Sequence, residues 1–329
     1  MILPAAPPAS LPFFLPASSG ERFCLYHAPS AAIDMHAAVL YVHPFGEEMN
    51  RSRRIAALQA QAFAAAGIAV LQIDLHGCGD SSGDFADARW EDWKNDLALA
   101  HAWLAKKTSV PIALWGLRLG AMLVLDYARE ANRPIDRLLL WQPVTNGKAW
   151  LTQWLRLRLS SHMLDGAAGP DQAGGTQTLR ATLAQGHSLE IAGYELASEL
   201  AAAIDALDAA AVAPVSQAVD WFDIVADADK PMSPATGKIM TQWRDQAAAL
   251  QQAQHAQQGQ RKQIRRLPSI RHRQIVGQAF WALPDITACP ALIDATLAAF
   301  DTSDDTGDAG NQNMDNEAGD GADREVGTA

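Results

Sequence analysis

The sequence predicts an α/β protein with a mostly parallel central sheet, helices on both faces of that sheet and one inserted segment. From residue 38 onward, short aliphatic or β-branched runs alternate with longer amphipathic runs, a pattern typical of βαβ units. The alternation stops after Pro143 and resumes near residue 215. Apolar residues make up 49% of the 329-residue chain, which is enough for a sizeable core.

Each predicted element follows from a local pattern. A β-hairpin is expected before residue 38, where "FFLPASSGERFCLYHAP" places a Ser-Gly turn between two apolar runs. Aliphatic runs predict strands over 37–43, 68–75, 111–116, 135–143, 215–226 and 274–281. Amphipathic runs predict helices over 54–67, 89–107, 118–131, 234–259 and 290–300.

The segment over 144–213 interrupts the regular alternation and is expected to cover the sheet as a lid. It opens with the helix-like "KAWLTQWLRLRLSSHML", passes through a glycine-rich stretch and ends in a helix predicted over "YELASELAAAIDALDAAA". The expected organisation is therefore an N-terminal hairpin (1–37) joining the sheet, a core (38–143 and 214–300), the lid and a tail (301–329).

The net charge of −11 is concentrated at the C-terminus. Residues 301–329 hold nine acidic residues and one arginine, a net charge of −8, which leaves −3 for the rest of the chain. We expect this tail to be disordered, because it has few apolar side chains. The nearly neutral body gives no electrostatic basis for nucleic-acid binding, and the basic stretch "RKQIRRLPSIRHR" lacks interleaved aromatics and is interpreted as a solvated loop.

Cysteine use and the N-terminus favour a cytoplasmic protein. The three cysteines are an odd number without C-x-x-C spacing, which argues against a disulfide framework and a structural zinc site. The N-terminal stretch is broken by prolines and has no basic residue before Arg22, unlike a signal peptide, and no apolar stretch is long enough for a membrane span. A metal site has no sequence basis, since no i, i+4 His pair or carboxylate spacing is present, and nucleotide cofactors have none, since G-x-G-x-x-G and Walker patterns are missing from the sequence.

The stretch "PIALWGLRLGAMLVLDYARE" (111–130) combines a buried strand, a glycine-bracketed turn and a helix. This layout is that of a nucleophile elbow, in which a G-x-S-x-G turn normally presents a serine above a sheet. Gly116 and Gly120 occupy the two glycine positions, and Arg118 stands where the serine would be. A guanidinium has no lone pair to attack a carbonyl, so Arg118 is not a nucleophile.

Taken together, the element order resembles the α/β-hydrolase fold over residues 13–300. "YVHPFGEEMN" matches the loop that contributes to an oxyanion hole, "DLHGCGDSSGDF" matches a D-x-x-G-x-G-x-S turn, and "WGLRLGA" is the elbow. Further runs, "LLWQPVTNGKAWLTQWLRLRLSSHML", "IAGYELASELAAAI" and "VGQAFWALPDI", resemble the exosortase A system-associated hydrolases of type 2. That resemblance implies a hydrolase associated with exopolysaccharide and protein-sorting systems in bacteria.

The α/β-hydrolase resemblance also implies positions for a base, an acid and oxyanion donors. The histidine would follow the last strand, where the chain reads "GQAFWALPDI" with Gln278 and Phe280, and the nearest histidine, His272, is expected before that strand. The acid would follow "AVDWFDIVADADK", which offers Asp227 and Asp229 in the turn and Asp223 near the strand end. The backbone N–H groups of Phe45 and Leu119 would be the oxyanion donors.

Two interpretations of Arg118 remain open. A fork of N–H donors at a helix N-terminus would bind a carboxylate or phosphate. Alternatively, Arg118 would pair with Asp227 or Asp229 and close an inactive site.

Other side chains at the same sheet edge are candidate catalytic groups. Cys78, Ser81 and Ser82 lie in the turn after the second parallel strand and are candidate nucleophiles, although such a turn needs glycines and small polar residues for its own geometry. His43 and His76 end adjacent strands and could act as a base for one of them or for water.

Two functions from different classes follow. The first is hydrolysis of an ester or thioester by a degenerate triad, using Cys78, Ser81 or a water activated by a histidine. The second is non-catalytic binding of an anionic ligand or carrier at Arg118. The expected partners are a small acyl or anionic molecule and components of an exosortase system, and the lid helix over 149–164 could contact a membrane surface or simply pack on the core.

Overall fold

A computed structural model describes residues 10–30, 33–164, 170–256, 268–283 and 287–301. Outside these ranges lie the acidic tail beyond residue 301, residues 165–169 of the lid's glycine-rich stretch, and residues 257–267, which are the end of the predicted helix and the first part of the basic stretch. The predictions made for these residues are not addressed by the structure.

Eight strands form one sheet with helices on both faces. In chain order the strands are β1 (Ser10–Pro16), β2 (Glu21–His27), β3 (Ala37–Val42), β4 (Ile68–Ile73), β5 (Ile112–Leu117), β6 (Arg137–Trp141), β7 (Leu189–Ile191), β8 (Tyr194–Leu196), β9 (Ala218–Val225) and β10 (Ser269–Val276). The sheet order is β1-β2-β4-β3-β5-β6-β9-β10, and β7 pairs only with β8. The β1–β2 and β2–β4 pairs are antiparallel, and the pairs from β4 to β10 are parallel.

The helices are α1 (Glu47–Ala65), α2 (Trp90–Lys107), α3 (Leu119–Glu130), α4 (Gly147–Leu164), α5 (Pro170–Ala184), α6 (Ser198–Asp205), α7 (Pro234–Ala256) and α8 (Pro290–Leu297). Side chains of α1 and α8 pack on one face of the sheet, and those of α2, α3, α4 and α6 belong to the core cluster on the other face. Because β3, β5 and β6 are covered on both faces, they are continuous apolar runs. None of the described helices is long and apolar enough to cross a bilayer.

Most predicted elements are present within a few residues, but two differ in an informative way. β10 begins at Ser269, five residues before the predicted strand, and ends before the "AFW" that the prediction included. Its parallel pairing with β9, from Ala218 onward, sets this register. As the last strand in the sheet order, β10 tolerates the basic sequence "SIRHR", which was interpreted as a solvated loop.

The lid contains a hairpin that the sequence analysis missed. The predicted alanine-rich helix was expected from Tyr194, but Tyr194–Leu196 is β8 and the helix α6 starts at Ser198. A two-residue turn connects β7 to β8, with Ala192 at φ 51° and Gly193 at φ 83°. Positive φ at both central residues is the geometry of a tight hairpin turn. The residues after the turn are therefore paired as a strand, and the helix begins only after them.

The first lid helix, α4, packs its apolar side against the core. Trp150, Leu151, Trp154 and Leu155 are buried, whereas Leu157 is 52% exposed. The buried indoles support a structural role for this side of the helix.

Candidate functional site

The turn between β5 and α3 has the backbone of an elbow. Arg118 joins the two elements with φ 56° and ψ −118°, a region that residues other than glycine rarely adopt. Its N–H donates to the Trp141 carbonyl at 3.0 Å, and its own carbonyl accepts the N–H of Val144 at 3.2 Å, so β6 and its following loop fix the turn. The sequence prediction of a tight turn at this position agrees with this geometry.

The two elbow glycines are required by close packing rather than by unusual backbone angles. A Cβ on Gly116 would lie 2.5 Å from the Cα of Ala121, and one on Gly120 would lie 2.5 Å from the carbonyl oxygens of Val42 and His43. Helix α3 therefore starts directly against the ends of β3 and β5. This contact places residue 118 at the carboxyl edge of the sheet.

The Arg118 side chain is held by three groups. Its Nε donates to Glu48 Oε1 at 3.2 Å, its Nη1 lies 3.4 Å from the Gln142 carbonyl oxygen, and its guanidinium carbon lies 5.2 Å from the centre of the Trp281 ring. The predicted pairing of Arg118 with Asp227 or Asp229 is therefore wrong. Its ion-pair partner comes from the first turn of α1, which follows a different strand end.

Only one of the two carboxylate oxygens of Glu48 is hydrogen-bonded among the described residues. Its Oε2 is buried and has no hydrogen-bond partner among the described residues. Burial raises the pKa of Glu48 despite the opposing effect of Arg118. The Arg118–Glu48 ion pair is thus partly desolvated, and keeping the Glu48 carboxylate charged there costs free energy. A bound anion would compete with Glu48 for the guanidinium.

The place where the fold would carry its histidine holds aromatic side chains instead. After β10, Gln278 is exposed, Phe280 is buried against Trp141, and Trp281 stacks on Arg118. Arg51 of α1 donates to the carbonyl of Ala282 at 2.7 Å and so ties this loop to the helix that supplies Glu48. The position of the expected base is therefore occupied by an indole that contacts the arginine.

The acid candidates separate into two groups. Asp227 and Asp229 lie in an exposed turn, where the Asp227 carboxylate accepts the Asp229 N–H at 3.1 Å, so Asp227 stabilises its own loop. Asp223 is buried in β9 and accepts from the Trp221 Nε1 at 2.7 Å and from the His272 Nε2 at 2.9 Å. His272 lies within β10 and not before the last strand, which corrects its predicted position.

A cavity of about 560 Å³ opens beside the elbow. Arg118 and Gln142 form one part of its wall, Asp223 and Gln274 of the sheet another, and the lid helix α4 and the segment before α7 complete it. The hydroxyls of Ser233 and Thr236 also line it, but they are 2.9 Å apart and bonded to each other at the start of α7. Cys78, Ser81, His43 and His76 do not line this cavity.

Comparisons with known proteins agree with this geometry. A family model, Hydrolase_4, described as serine aminopeptidase, S33, matches residues 33–179, which is less than half of the chain. The ferulic-acid-bound structure of Est1E from Butyrivibrio proteoclasticus superposes with a TM-score of 0.57 at 15% identity and covers 86% of this chain and 95% of that chain. The chain has the α/β-hydrolase fold.

Two further α/β-hydrolase structures give the same result. The α/β hydrolase GrgF from Penicillium sp. sh18 has a TM-score of 0.53 at 16% identity, with 89% of this chain and 97% of that chain covered. A soluble variant of monoglyceride lipase from Saccharomyces cerevisiae has a TM-score of 0.52 at 12% identity, with 90% and 96% covered. No curated protein sequence matches the chain significantly.

Within this α/β-hydrolase fold, the turn after β4 is closed by its own hydrogen bonds. Ser81 Oγ donates to the Asp74 carbonyl at 2.6 Å and accepts the Phe23 N–H at 2.9 Å, and Ser82 Oγ accepts the Glu21 N–H at 2.9 Å. Cys78 is 6% exposed, and burial together with Asp74 and Asp96 raises the pKa of its thiol. The two serines join the turn to β2 and Cys78 is buried within the turn, which supports the structural interpretation of all three.

The two strand-end histidines are also engaged. His43 is buried with its Nδ1 at the Pro44 carbonyl, and its Nε2 accepts the Leu75 N–H at 3.2 Å. Burial lowers the pKa of His43, which keeps the ring neutral. The Nδ1 of the His76 ring is buried and has no hydrogen-bond partner among the described residues. The backbone N–H of His76 donates to the Asp96 carboxylate at 2.8 Å. Neither ring reaches the cavity beside Arg118.

The proposed oxyanion donors remain at the elbow. Leu119 is the first residue of α3, and neither its N–H nor that of Phe45 has a partner among the described residues. The Phe45 ring packs among Phe85, Trp93, Trp150 and Trp154, which fixes the loop that carries its N–H. Within the same ranges, no group of three or more His, Cys, Asp or Glu side chains could hold a metal ion.

Glu48, Trp281 and Lys230 were not predicted to belong to the site. A signal for Glu48 exists, because it lies in the quoted "YVHPFGEEMN" at the start of a helix that follows a parallel strand. Trp281 and Lys230 have no such signal, since both depend on loops whose paths are set by tertiary packing.

Proposed function

We propose that this protein is a non-hydrolytic member of the α/β-hydrolase superfamily that binds an anionic ligand at its elbow. The observation that carries the proposal is the position of Arg118. Its strained backbone holds the guanidinium on the wall of the cavity, and its Nη2 makes no hydrogen bond within the described part of the chain. The unengaged Nη2 beside the N-terminus of α3 favours a carboxylate or phosphate.

The arrangement of the remaining groups favours binding over acyl transfer. Nucleophilic catalysis needs a nucleophile within hydrogen-bond reach of a base. At the elbow the nucleophile is replaced by a cation and the expected base by Trp281, whereas Cys78 and Ser81 are buried in a separate closed turn. The cavity therefore offers recognition groups without the pair that would start acylation.

We further propose that the protein serves an exosortase and exopolysaccharide system in the cytoplasm. The support is the set of separated runs, "LLWQPVTNGKAWLTQWLRLRLSSHML", "IAGYELASELAAAI" and "VGQAFWALPDI", that resemble the exosortase A system-associated hydrolases of type 2. Components of that system are the proposed protein partners. A peripheral membrane contact through 149–164 is less favoured, because Trp150, Leu151, Trp154 and Leu155 of that stretch are buried.

Anion-dependent thermal stabilisation tests the binding role. We expect phosphate or hexanoate to raise the melting temperature of the wild-type protein and to have no such effect on Arg118→Ala. Arg129→Ala is the matched control, because Arg129 lies in the last turn of the same helix and pairs with Asp126 at an exposed position. An equal shift in Arg118→Ala and in the wild type would remove the proposal.

Hydrolysis of an ester or thioester is the second candidate, and one observation favours it. Asp223 lines the cavity and is hydrogen-bonded to His272, so an acid–histidine pair adjoins the cavity, although His272 itself does not line it. A fluorophosphonate probe and iodoacetamide separate the two functions. Labelling of a serine or cysteine that an ester substrate suppresses would establish the hydrolase, and the binding role predicts that neither probe reacts with the folded protein.

Arg118→Ser gives an independent check. We expect no esterase activity from this variant, because Trp281 occupies the place of the base and His272 donates its Nε2 to Asp223 within the sheet. Turnover of a p-nitrophenyl ester by Arg118→Ser at a rate well above that of the wild type would show that a base does reach the elbow.

A further inference from the structure

The composition of the cavity wall narrows the class of ligand beyond an anion. Of the twenty side chains that line the cavity, ten are polar or charged. Pockets for acyl chains and similar ligands are lined predominantly by apolar and aromatic side chains. A methylene chain placed here would remove water from many polar groups without replacing their hydrogen bonds, which costs free energy.

Several of these polar side chains are unengaged. Thr145, Gln153 and Gln274 line the cavity, and their side chains make no hydrogen bond within the described ranges. By contrast, Gln142, Asn146 and Ser233 already bond to the backbone of the chain. The free amides and the hydroxyl are donors and acceptors that a ligand with several hydroxyl groups would satisfy.

The charged side chains on the cavity wall determine how a ligand would be oriented. Arg118 lies on the wall near the elbow, and Lys230, which makes no ion pair among the described residues, lies on the wall before α7. Asp223 lines the cavity with both carboxylate oxygens already accepting one N–H each. Its remaining lone pairs accept hydroxyl groups but repel an anion, so the acidic group of a ligand is directed away from Asp223 and toward the cations.

We infer that the cavity beside Arg118 binds a polyhydroxylated anion, a sugar acid or sugar phosphate, with the acidic group at Arg118 and Lys230 and the hydroxyl groups at Asp223 and the free amides. This inference rests on the proposed anion-binding function and specifies its ligand. The volume of about 560 Å³ is within the range of small-molecule sites and is large enough for a saccharide unit with an acidic group.

Isothermal titration of the full chain with four probes tests the inference. The probes are glucuronate, glucose 6-phosphate, glucose and hexanoate. We expect each of the two sugar anions to bind at least about tenfold more tightly than hexanoate and than glucose, since only they satisfy both the cations and the free amides. The ratio of glucuronate to glucose 6-phosphate affinity tells whether a carboxylate or a phosphate is the better acidic group.

The outcomes distinguish this inference from the function on which it rests. If hexanoate binds as tightly as the sugar anions, the polyhydroxylated class is overturned and anion binding stands. If none of the three anions binds, both the inference and the anion-binding function are overturned. Tight binding of glucose with no gain from an acidic group would also overturn both, because the cations would then have no role.

Two variants locate the contacts. Gln274→Leu removes the amide at similar volume, and we expect at least about fivefold weaker glucuronate binding with unchanged hexanoate binding. The control is Gln217→Leu, which changes an exposed glutamine just before β9, at the opposite end of the strand from the cavity. Lys230→Ala changes an exposed side chain, and it should weaken glucose 6-phosphate binding more than glucose binding. Equal affinities in Gln274→Leu, Lys230→Ala and the wild type would contradict the assigned orientation.

Discussion

Two turns at the carboxyl edge of the sheet carry the candidate nucleophiles and the arginine, and the side chains of the two turns differ in what they bind. In the turn after β4, Ser81 and Ser82 bond to backbone groups of neighbouring segments, and Cys78 is buried. In the elbow after β5, the backbone alone makes the turn, so the Arg118 side chain is left to line a cavity.

This contrast shows that residue type alone does not identify a site. The turn after β4 contains the better nucleophiles, but its serine hydroxyls are hydrogen-bonded to the backbone and its thiol is buried. The elbow contains a side chain that cannot attack a carbonyl, but glycine packing and a strained φ place it on the wall of a cavity. Its Nη2 is not used by the fold within the described ranges and is available to a ligand.

We expect the strongest effect on the reactivity of the three buried cysteines, of which Cys78 lies in the turn after β4. Cys24, Cys78 and Cys289 are all buried, and burial raises the pKa of Cys24 to about 12 and that of Cys78 as well. We expect iodoacetamide at pH 8 to label them on the order of a hundredfold more slowly in the folded protein than in urea, as measured by mass spectrometry. Lys230→Cys, on the cavity wall, is the reactive control. Rapid labelling of native Cys78 would end the contrast between the two turns.

A second prediction concerns the packing of the glycines in the elbow after β5. Gly120→Ala places a Cβ 2.5 Å from two backbone carbonyl oxygens, which cannot move without shifting β3. We expect a loss of about 3 kcal/mol or more in the free energy of unfolding, measured by urea denaturation. Gly237→Ala is the control, since the nearest atom to its Cβ is Met232 Sδ at 3.7 Å in a helix, where alanine is favoured. A tolerated Gly120→Ala would mean that the elbow is looser than its contacts indicate.

The sequence predicted the parts of this site that depend on neighbouring residues. The glycine spacing around Arg118 identified the elbow, and the alternation of apolar runs identified the parallel strands, because both patterns lie within a few residues of one another. The glycines and serines of "GCGDSSG" likewise indicated a self-bonded turn, which the contacts of Ser81 show.

The rest could not be predicted because it depends on distant pairing. The start of β10 is set by its register with β9, and its basic sequence gives no strand signal of its own. The partner of Arg118 is Glu48, seventy positions earlier in the chain. The acids considered from the sequence, Asp227 and Asp229, follow β9, and the Asp227 carboxylate bonds within its own turn. Trp281 reaches Arg118 only because the loop after β10 is tied to α1.

A third and smaller effect tests the closed turn directly. Ser81→Ala removes the donor to the Asp74 carbonyl and the acceptor of the Phe23 N–H, and we expect it to lower the free energy of unfolding by about 1–3 kcal/mol. Ligand binding in the cavity should be unchanged, the reverse of the pattern expected for Arg118→Ala. Ser160→Ala, at an exposed position of α4, is the control and should be nearly neutral. Loss of ligand binding in Ser81→Ala with unchanged stability would reassign the turn to function.

The smallest expected effect concerns the partner of Arg118. Because burial raises the pKa of Glu48 above its ordinary value of 4.5, the folded state keeps this proton at a pH where the unfolded chain has lost it. The contribution of Glu48 to stability is therefore greatest below pH 4.5 and decreases as pH rises through the shifted range. Glu48→Gln lacks this decrease, so the stability difference between Glu48→Gln and the wild type should move in favour of the variant with rising pH, by less than about 1 kcal/mol in urea titrations. Glu190→Gln, an exposed carboxyl in β7, is the control and should show no such trend. A difference that moves in favour of the wild type as pH rises would mean that the ion pair with Arg118 outweighs burial, and the guanidinium would then be held by Glu48 too firmly to exchange it for a ligand.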